Sequence, residues 1–205
     1  SVTAKAGVLI DLPRINYDAN GENGALLLEP SRQQLLQFSE YFDSWGKNSN
    51  SSAQLADINS PEGLKNAYEF TYDGTSNGRI EQAVSVTNGT TYTFSIYLKN
   101  KDISDPTQVW IGFSANPFQG EYVTITNEWQ RFETTQVANS TTEYPRINYD
   151  GAGTFYAYGA QIEAGSYVSS YIPNHGTSGG VTRAADLCTG GGSAESINSV
   201  EGVLY

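Results

Sequence analysis

The sequence predicts an all-β protein whose strands form a two-sheet antiparallel sandwich. Its 205 residues include 14 Tyr and 21 Gly but only 16% charged residues, a composition that favours strands and turns over helices. Segments such as residues 91–99 alternate apolar and polar side chains with the period of two of a half-buried strand. Asp-Gly, Asn-Gly, Asp-Pro and Asn-Pro pairs, which are typical of turns, separate these segments.

The strand candidates are short and follow one another along most of the chain. Two of them direct an apolar series to one face: Tyr92, Phe94, Ile96 and Leu98 in residues 91–99, and Val109, Ile111 and Phe113 in residues 108–114. The others are residues 67–72, 78–86, 122–126, 129–137, 144–149 and 154–162. Six to eight short strands at this spacing are typical of a sandwich. Residues 31–40 fit either a short amphipathic helix or an extended segment.

Composition shifts divide the chain into three parts. Residues 1–40 are predicted to form an N-terminal arm, residues 41–173 the sandwich, and residues 174–205 a Gly/Ser-rich linker with the start of a following domain. We expect a segment of a longer chain, because position 1 is Ser and the last residues are apolar. The hexapeptide PRINYD occurs twice, beginning at Pro13 and at Pro145, and indicates either two similar strands or two equivalent polar surfaces.

The charge and the rare reactive residues exclude several functions. Eleven basic and 22 acidic residues give a net charge of −11, so neither nucleic acid nor insertion into a membrane is expected. The lone His175 and the single Cys188 lie in Gly-rich sequence, which does not hold a catalytic group rigidly. No phosphate-binding loop follows the glycines at 190–192. The sequence therefore does not predict an enzyme.

The alternation of side chains predicts a polar and aromatic outer face suited to sugars. Aromatic rings stack on the C–H faces of sugar rings, while amides, carboxylates and Arg bind the hydroxyls. If residues 91–99 and 108–114 form a hairpin, Tyr97 and Trp110 lie on one exposed surface. The predicted ligand-binding residues are Trp110, Tyr97, Gln108, Arg146, Asn148, Glu81 and Tyr122. Trp110 could equally contact another subunit.

Three stretches resemble modules found in tail fibres and other structural proteins of bacteriophages. They are residues 26–45, beginning LLLEPSR; residues 89–99, GTTYTFSIYLK; and residues 155–186, beginning FYAYGAQIEAGSY. The middle of the chain is also similar to the jelly-roll carbohydrate-binding modules attached to xylanases and cellulases. This second resemblance involves Trp45, residues 89–99, residues 129–132 and residues 155–162. It implies a jelly-roll sandwich in which Trp45 and Trp129 belong to the core.

The closing strand departs from the enzyme-linked modules, in which an acidic pair helps to hold a structural calcium. The matching stretch has no carboxylate before Glu163, so no cofactor is predicted. A calcium bound at strand ends by Asp43, Glu69, Asp73 and Glu163 stays open as an alternative.

The resemblances and the aromatic face lead to three hypotheses. The first is a non-catalytic carbohydrate-binding module of a phage tail or tail fibre, exposed on the virion surface or outside the cell, which binds host surface glycan. The second is a purely structural domain that decorates a virion or packs against other fibre subunits. The third is a binding module of a bacterial polysaccharide-degrading enzyme.

Overall fold

The computed structural model describes residues 15–16, 25–75, 78–102, 108–114 and 119–186, with the backbone alone for residues 15–16 and 25–26. These residues contain one 3-10 turn, Phe42–Ser44, and no longer helix. The strands are β1 (Ile15–Asn16), β2 (Ala25–Leu26), β3 (Arg32–Gln34), β4 (Gly46–Lys47), β5 (Ser51–Leu55), β6 (Tyr68–Asp73), β7 (Gly78–Glu81), β8 (Val84–Ser85), β9 (Thr91–Asn100), β10 (Gln108–Phe113), β11 (Gln119–Thr124), β12 (Gln130–Val137), β13 (Thr142–Glu143), β14 (Pro145–Tyr149), β15 (Ala152–Ala164) and β16 (Val181–Arg183). The predicted features at Cys188, at 190–192 and at 200–205 lie outside the described residues.

The predicted two-sheet antiparallel sandwich is confirmed. The front sheet has the strand order β11-β10-β14-β7-β4, and the back sheet has the order β12-β9-β15-β6-β5. Every pairing within the two sheets is antiparallel. Three two-stranded pairs, β1-β2, β8-β13 and β3-β16, complete the described strands.

The core lies between the inner faces of the two sheets. The front sheet contributes Ile80, Val109, Ile111, Phe113 and Ile147, and the back sheet contributes Phe70, Tyr72, Tyr92, Phe94, Ile96, Leu98, Phe155 and Ile162. The ring of Phe70 packs edge-on against Phe42 at a centroid distance of 5.0 Å and against Phe155 at 5.7 Å. Each aromatic side chain buried in this way contributes about 1.5–3 kcal/mol of transfer free energy, so the aromatic residues of the core contribute directly to the stability of the sandwich.

The predicted hairpin between residues 91–99 and 108–114 is wrong. Strand β9 lies in the back sheet between β12 and β15, whereas β10 lies in the front sheet between β11 and β14. Both strands direct their predicted apolar faces into the core. The alternation of apolar and polar residues indicates which face of a strand is buried, whichever strands lie beside it. The partner of each strand is decided by contacts distant in sequence, which alternation does not specify.

The predicted arm and linker are in contact over their described residues. Strand β3 pairs with β16, and the Leu35 amide donates a 3.0 Å hydrogen bond to Ile162 O of the back sheet. Residues 31–40 are therefore extended rather than helical, which is the second of the two alternatives. We call this assembly of β3, β16 and residues 165–175 the clasp. The domain boundaries themselves stay a prediction.

The two tryptophans predicted in the core have different positions. Trp45 is 3% exposed, as predicted, and its ring packs against Phe42 at a centroid distance of 5.0 Å with the ring planes tilted by 53°. Trp129 is only partly buried, so its assignment to the core is wrong. Its indole donates a 2.9 Å hydrogen bond to Asn59 O, which ties the start of β12 to the loop after β5. None of the helices in the described part of the chain is long and apolar enough to cross a membrane.

Candidate functional site

The register of the front sheet places six of the seven predicted site residues on its outer face. Because Val109 and Ile111 point into the core, Gln108 and Trp110 point outward. Trp110 pairs with Tyr122 on β11 and with Asn148 on β14. The next outward position along β10, Gly112, pairs with Arg146, which in turn pairs with Glu81 of β7. Gln108, Trp110, Tyr122, Arg146, Asn148 and Glu81 therefore share one surface.

Two glycines form a floor beneath the indole of Trp110. Gly112 and Gly120 are directly paired across β10 and β11. A Cβ atom on Gly112 would lie 2.6 Å from Trp110 Cη2, and one on Gly120 would lie 2.5 Å from Trp110 Cζ2. These distances leave no space for a side chain, so the partly exposed ring of Trp110 lies against the backbone of both strands. The orientation of the ring is thus set by the sheet itself.

An ion pair lies beside this floor. Arg146 Nε donates a 2.7 Å hydrogen bond to Glu81 Oε2, and Arg79 Nε lies 3.4 Å from Glu81 Oε1. The side chains of Arg146 and Glu81 are 9% and 16% exposed, whereas that of Arg79 is 48% exposed. The ion pair between Arg146 and Glu81 is therefore mostly buried and lies beneath the exposed part of the face. Their role as direct ligand contacts stays a prediction.

The remaining residues of the face are Asn148, Tyr122 and Gln108, which differ in their exposure. Asn148 stands between Trp110 and Arg79 in one row across the strands, and its Oδ1 is buried without a hydrogen-bond partner. Tyr122 is 62% exposed, and its hydroxyl donates a 3.3 Å hydrogen bond to Asp150 Oδ2. Gln108 is exposed at the same end of β10. The face thus combines aromatic surface with amide and guanidinium groups.

The seventh predicted residue, Tyr97, does not share this site. It lies on the outer face of the back sheet, on the opposite side of the sandwich from Trp110. The guanidinium of Arg131 covers its ring at 5.4 Å from the centroid, and Tyr158 packs beside it at 6.0 Å. Tyr97 therefore contributes to packing beneath the clasp, which corrects the prediction of one surface holding both rings.

The clasp buries a polar layer on the outer face of the back sheet. Glu163 is fully buried and accepts hydrogen bonds from Gln161 Nε2 at 2.7 Å and from both the amide and the hydroxyl of Ser169. Arg32 Nε lies 3.3 Å from Glu163 Oε2. Burial lowers the pKa of Arg131, which donates to Ser169 O at 2.7 Å. Every group of this layer therefore serves to attach the clasp.

A groove of 310 Å³ opens beside the clasp and has Glu40 at its base. Glu40 is 5% exposed and accepts hydrogen bonds from the hydroxyls of Tyr158 at 3.2 Å and Tyr171 at 3.1 Å. Burial raises the pKa of the Glu40 carboxyl, the nearby His175 lowers it, and the charge of Glu62 raises it further. The sequence did not indicate Glu40, because its burial depends on residues more than a hundred positions away.

The four carboxylates considered for calcium have separate partners. Asp43 accepts from the Tyr68 hydroxyl at 3.0 Å, and Glu69 pairs with Lys101 at 2.8 Å. Asp73 accepts from the Thr75 amide, and Glu163 belongs to the clasp. Within the described ranges no group of three or more His, Cys, Asp or Glu side chains is placed to hold a metal ion.

The comparisons with known proteins give matches among solved structures. No protein-family model matches the sequence, and no curated protein matches it. The C-terminal family 22 carbohydrate-binding module of Clostridium thermocellum Xyn10B is 14% identical; the match covers 75% of this chain and 100% of that chain, with a TM-score of 0.49. The CBM22-1 xylan-binding domain of Paenibacillus barcinonensis Xyn10C is 12% identical, over 70% of this chain and 98% of that chain, with a TM-score of 0.46.

A phage protein is also among the similar structures. The enzymatically active domain of bacteriophage CBA120 tailspike protein 4 is 8% identical; the match covers 64% of this chain and 21% of that chain, with a TM-score of 0.49.

Proposed function

We propose that this protein is a non-catalytic carbohydrate-binding module that binds glycan on the outer face of its front sheet. The observation that carries the proposal is the ring of Trp110, held against the Gly112–Gly120 floor with amide and guanidinium groups beside it. A ring held in this way loses little conformational entropy on binding, and stacking needs only a C–H face of a sugar above it. The shallow surface suits weak single-site binding that is strengthened by several copies.

The biological setting is a finer part of the same proposal. The motifs at residues 26–45, 89–99 and 155–186 support a phage tail or tail fibre, where the glycan would belong to the host surface. In that setting the module would be exposed outside the cell together with other fibre subunits.

The decisive experiment is affinity measurement on a glycan array with the wild type and Trp110→Ala. We expect at least about tenfold weaker binding for Trp110→Ala, the effect of truncating a central aromatic contact worth about 1.4 kcal/mol or more. Trp129→Ala is the matched control, because this partly buried Trp lies at the back sheet. Its binding should equal that of the wild type.

Two results would contradict the proposal. If Trp110→Ala binds glycan as tightly as the wild type does, the outer face of the front sheet is not the binding site. Absence of binding to every glycan, together with an oligomer that dissociates on Trp110→Ala substitution, would instead identify the face as a subunit contact.

A further inference from the structure

The groove beside the clasp has an apolar rim above an acidic base. Tyr41, Leu55 and Leu64 line it and are 42%, 64% and 53% exposed, so these three side chains form its rim. Glu40 lies at its base and is 5% exposed, and the half-buried Glu62 also lines it. Exposed apolar side chains that gather around one opening are typical of a contact surface. We call this groove the acidic groove.

The carboxyl group of Glu40 is held by neutral donors. Its Oε1 accepts hydrogen bonds from the hydroxyls of Tyr158 at 3.2 Å and Tyr171 at 3.1 Å. Its Oε2 accepts a 3.2 Å hydrogen bond from Asn66 Nδ2. His175 Nδ1 lies 3.9 Å from Oε2, which is too far for a hydrogen bond. Among the described residues, this buried carboxyl therefore receives no hydrogen bond from a cationic group.

The free acceptors of the acidic groove suit an ammonium group better than a guanidinium group. A guanidinium prefers both oxygens of one carboxylate, whereas Glu40 Oε1 already accepts from two hydroxyls. An ammonium group instead directs three N–H donors to separate acceptors. Three are available: Glu40 Oε2, the carboxylate of Glu62, and Asn66 Oδ1, which is buried without a hydrogen-bond partner.

We propose that the acidic groove binds the side chain of a lysine from a partner protein, with the ammonium group at Glu40 and the four methylene groups between Tyr41, Leu55 and Leu64. The narrow apolar stem of lysine reaches a buried carboxyl and covers apolar surface on the way. The net charge of −11 also favours the approach of a basic partner.

An amino sugar carries the same ammonium group but fits the acidic groove less well. Its amino group is attached directly to a broad ring, whose hydroxyls would lose water against Leu55 and Leu64 without gaining hydrogen bonds. The groove also lies apart from Trp110, because Leu55 belongs to β5 of the back sheet. This inference therefore goes beyond the proposed function and does not depend on it.

The first test is an NMR titration of the wild type with Nα-acetyl-lysine methylamide. We expect saturable shifts of the Tyr41 and Asn66 amides, with a dissociation constant on the order of 1–10 mM at low salt. Three probes define the chemistry: the norleucine analogue, which has the stem without the charge, the arginine analogue and glucosamine. Each should bind at least about tenfold more weakly than the lysine probe.

The second test removes the acceptors while keeping their shape. Glu40→Gln and Glu62→Gln should each weaken binding of the lysine probe, by at least about tenfold and about threefold respectively. Glu121→Gln is the matched control, because Glu121 is exposed on β11, at the opposite edge of the front sheet from β4. Its affinity for the lysine probe, and that of Trp110→Ala, should equal the affinity of the wild type.

Several results would overturn the inference. Absence of saturable shifts with the lysine probe would do so, as would equal binding of the norleucine or arginine analogue. Tighter binding of glucosamine would make the groove a sugar site instead. Unchanged affinity of folded Glu40→Gln would also overturn it. If circular dichroism shows that Glu40→Gln does not fold, Glu62→Gln decides, and unchanged affinity of that variant would overturn the inference.

Discussion

Replacing Arg146 by Met should destabilise the fold, because Glu81 then loses its closest counter-ion. The side chain of Arg146 is 9% exposed, and its Nε lies 2.7 Å from Glu81 Oε2. Removing one partner of a fully buried ion pair costs about 3–5 kcal/mol. Glu81 is 16% exposed and keeps Arg79 at 3.4 Å, so we expect a smaller loss of about 2–3 kcal/mol in the free energy of unfolding.

Urea unfolding of four proteins measures this effect. Arg146→Met should lower the midpoint without changing the slope, and Arg146→Met combined with Glu81→Leu should recover most of the loss. Arg79→Met is the control, with a loss of at most about 1 kcal/mol, because Arg79 is 48% exposed. A loss below about 0.5 kcal/mol for Arg146→Met, together with loss of glycan binding, would refute the reasoning and make Arg146 a ligand contact.

Two further predictions concern the clasp and the groove beside it. Gln34→Ala should cost about 2–4 kcal/mol in urea unfolding, because fully buried Gln34 donates to a carbonyl of β15 at 2.7 Å and accepts from two backbone amides. The control Gln33→Ala, at an exposed position, should change the free energy of unfolding by less than about 0.5 kcal/mol. Equal losses for Gln34→Ala and Gln33→Ala would contradict the role of Gln34 in attaching the clasp to the back sheet. Burial raises the pKa of the Glu40 carboxyl above its ordinary value of 4.5, because the folded protein favours the protonated form. The contribution of this group to the free energy of unfolding is therefore fully present below pH 4.5 and is lost as the pH rises through the pKa of the folded state. Wild-type stability relative to Glu40→Gln should therefore fall from pH 4.5 upward, and parallel pH profiles would contradict this.

Local pattern predicted the strands and their faces but not their partners. Val109 and Ile111 are buried and Trp110 points outward, as alternation requires. The sequence could not show that β9 and β10 belong to different sheets, because both alternate in the same way. Pairing depends on the total burial that all strands achieve together, which is a property of the whole chain.

The supporting residues of the candidate site were harder to predict than its aromatic residue. Gly112 and Gly120 carry a signal, since Gly inside a strand often marks the close approach of another group. The sequence does not show which group approaches, because Gly112 and Gly120 are brought together only by the pairing of β10 with β11. The buried position of Glu163 has no local signal at all, because it depends on Ser169 and Arg32.

The clasp explains why the front face, rather than the back face, is the candidate site. Alternation sends Tyr97 and Trp110 outward equally, so side-chain chemistry does not distinguish them. Tyr97 is packed against Arg131, whose guanidinium is fixed by Ser169 O of the clasp, so a ligand at Tyr97 would have to displace part of the chain. The ring of Trp110 is instead oriented by Gly112 and Gly120 of its own sheet, so a ligand that stacks on this ring displaces no part of the clasp. Binding at the back face would carry the cost of exposing buried charges such as Glu163, and this difference in free energy favours the front face.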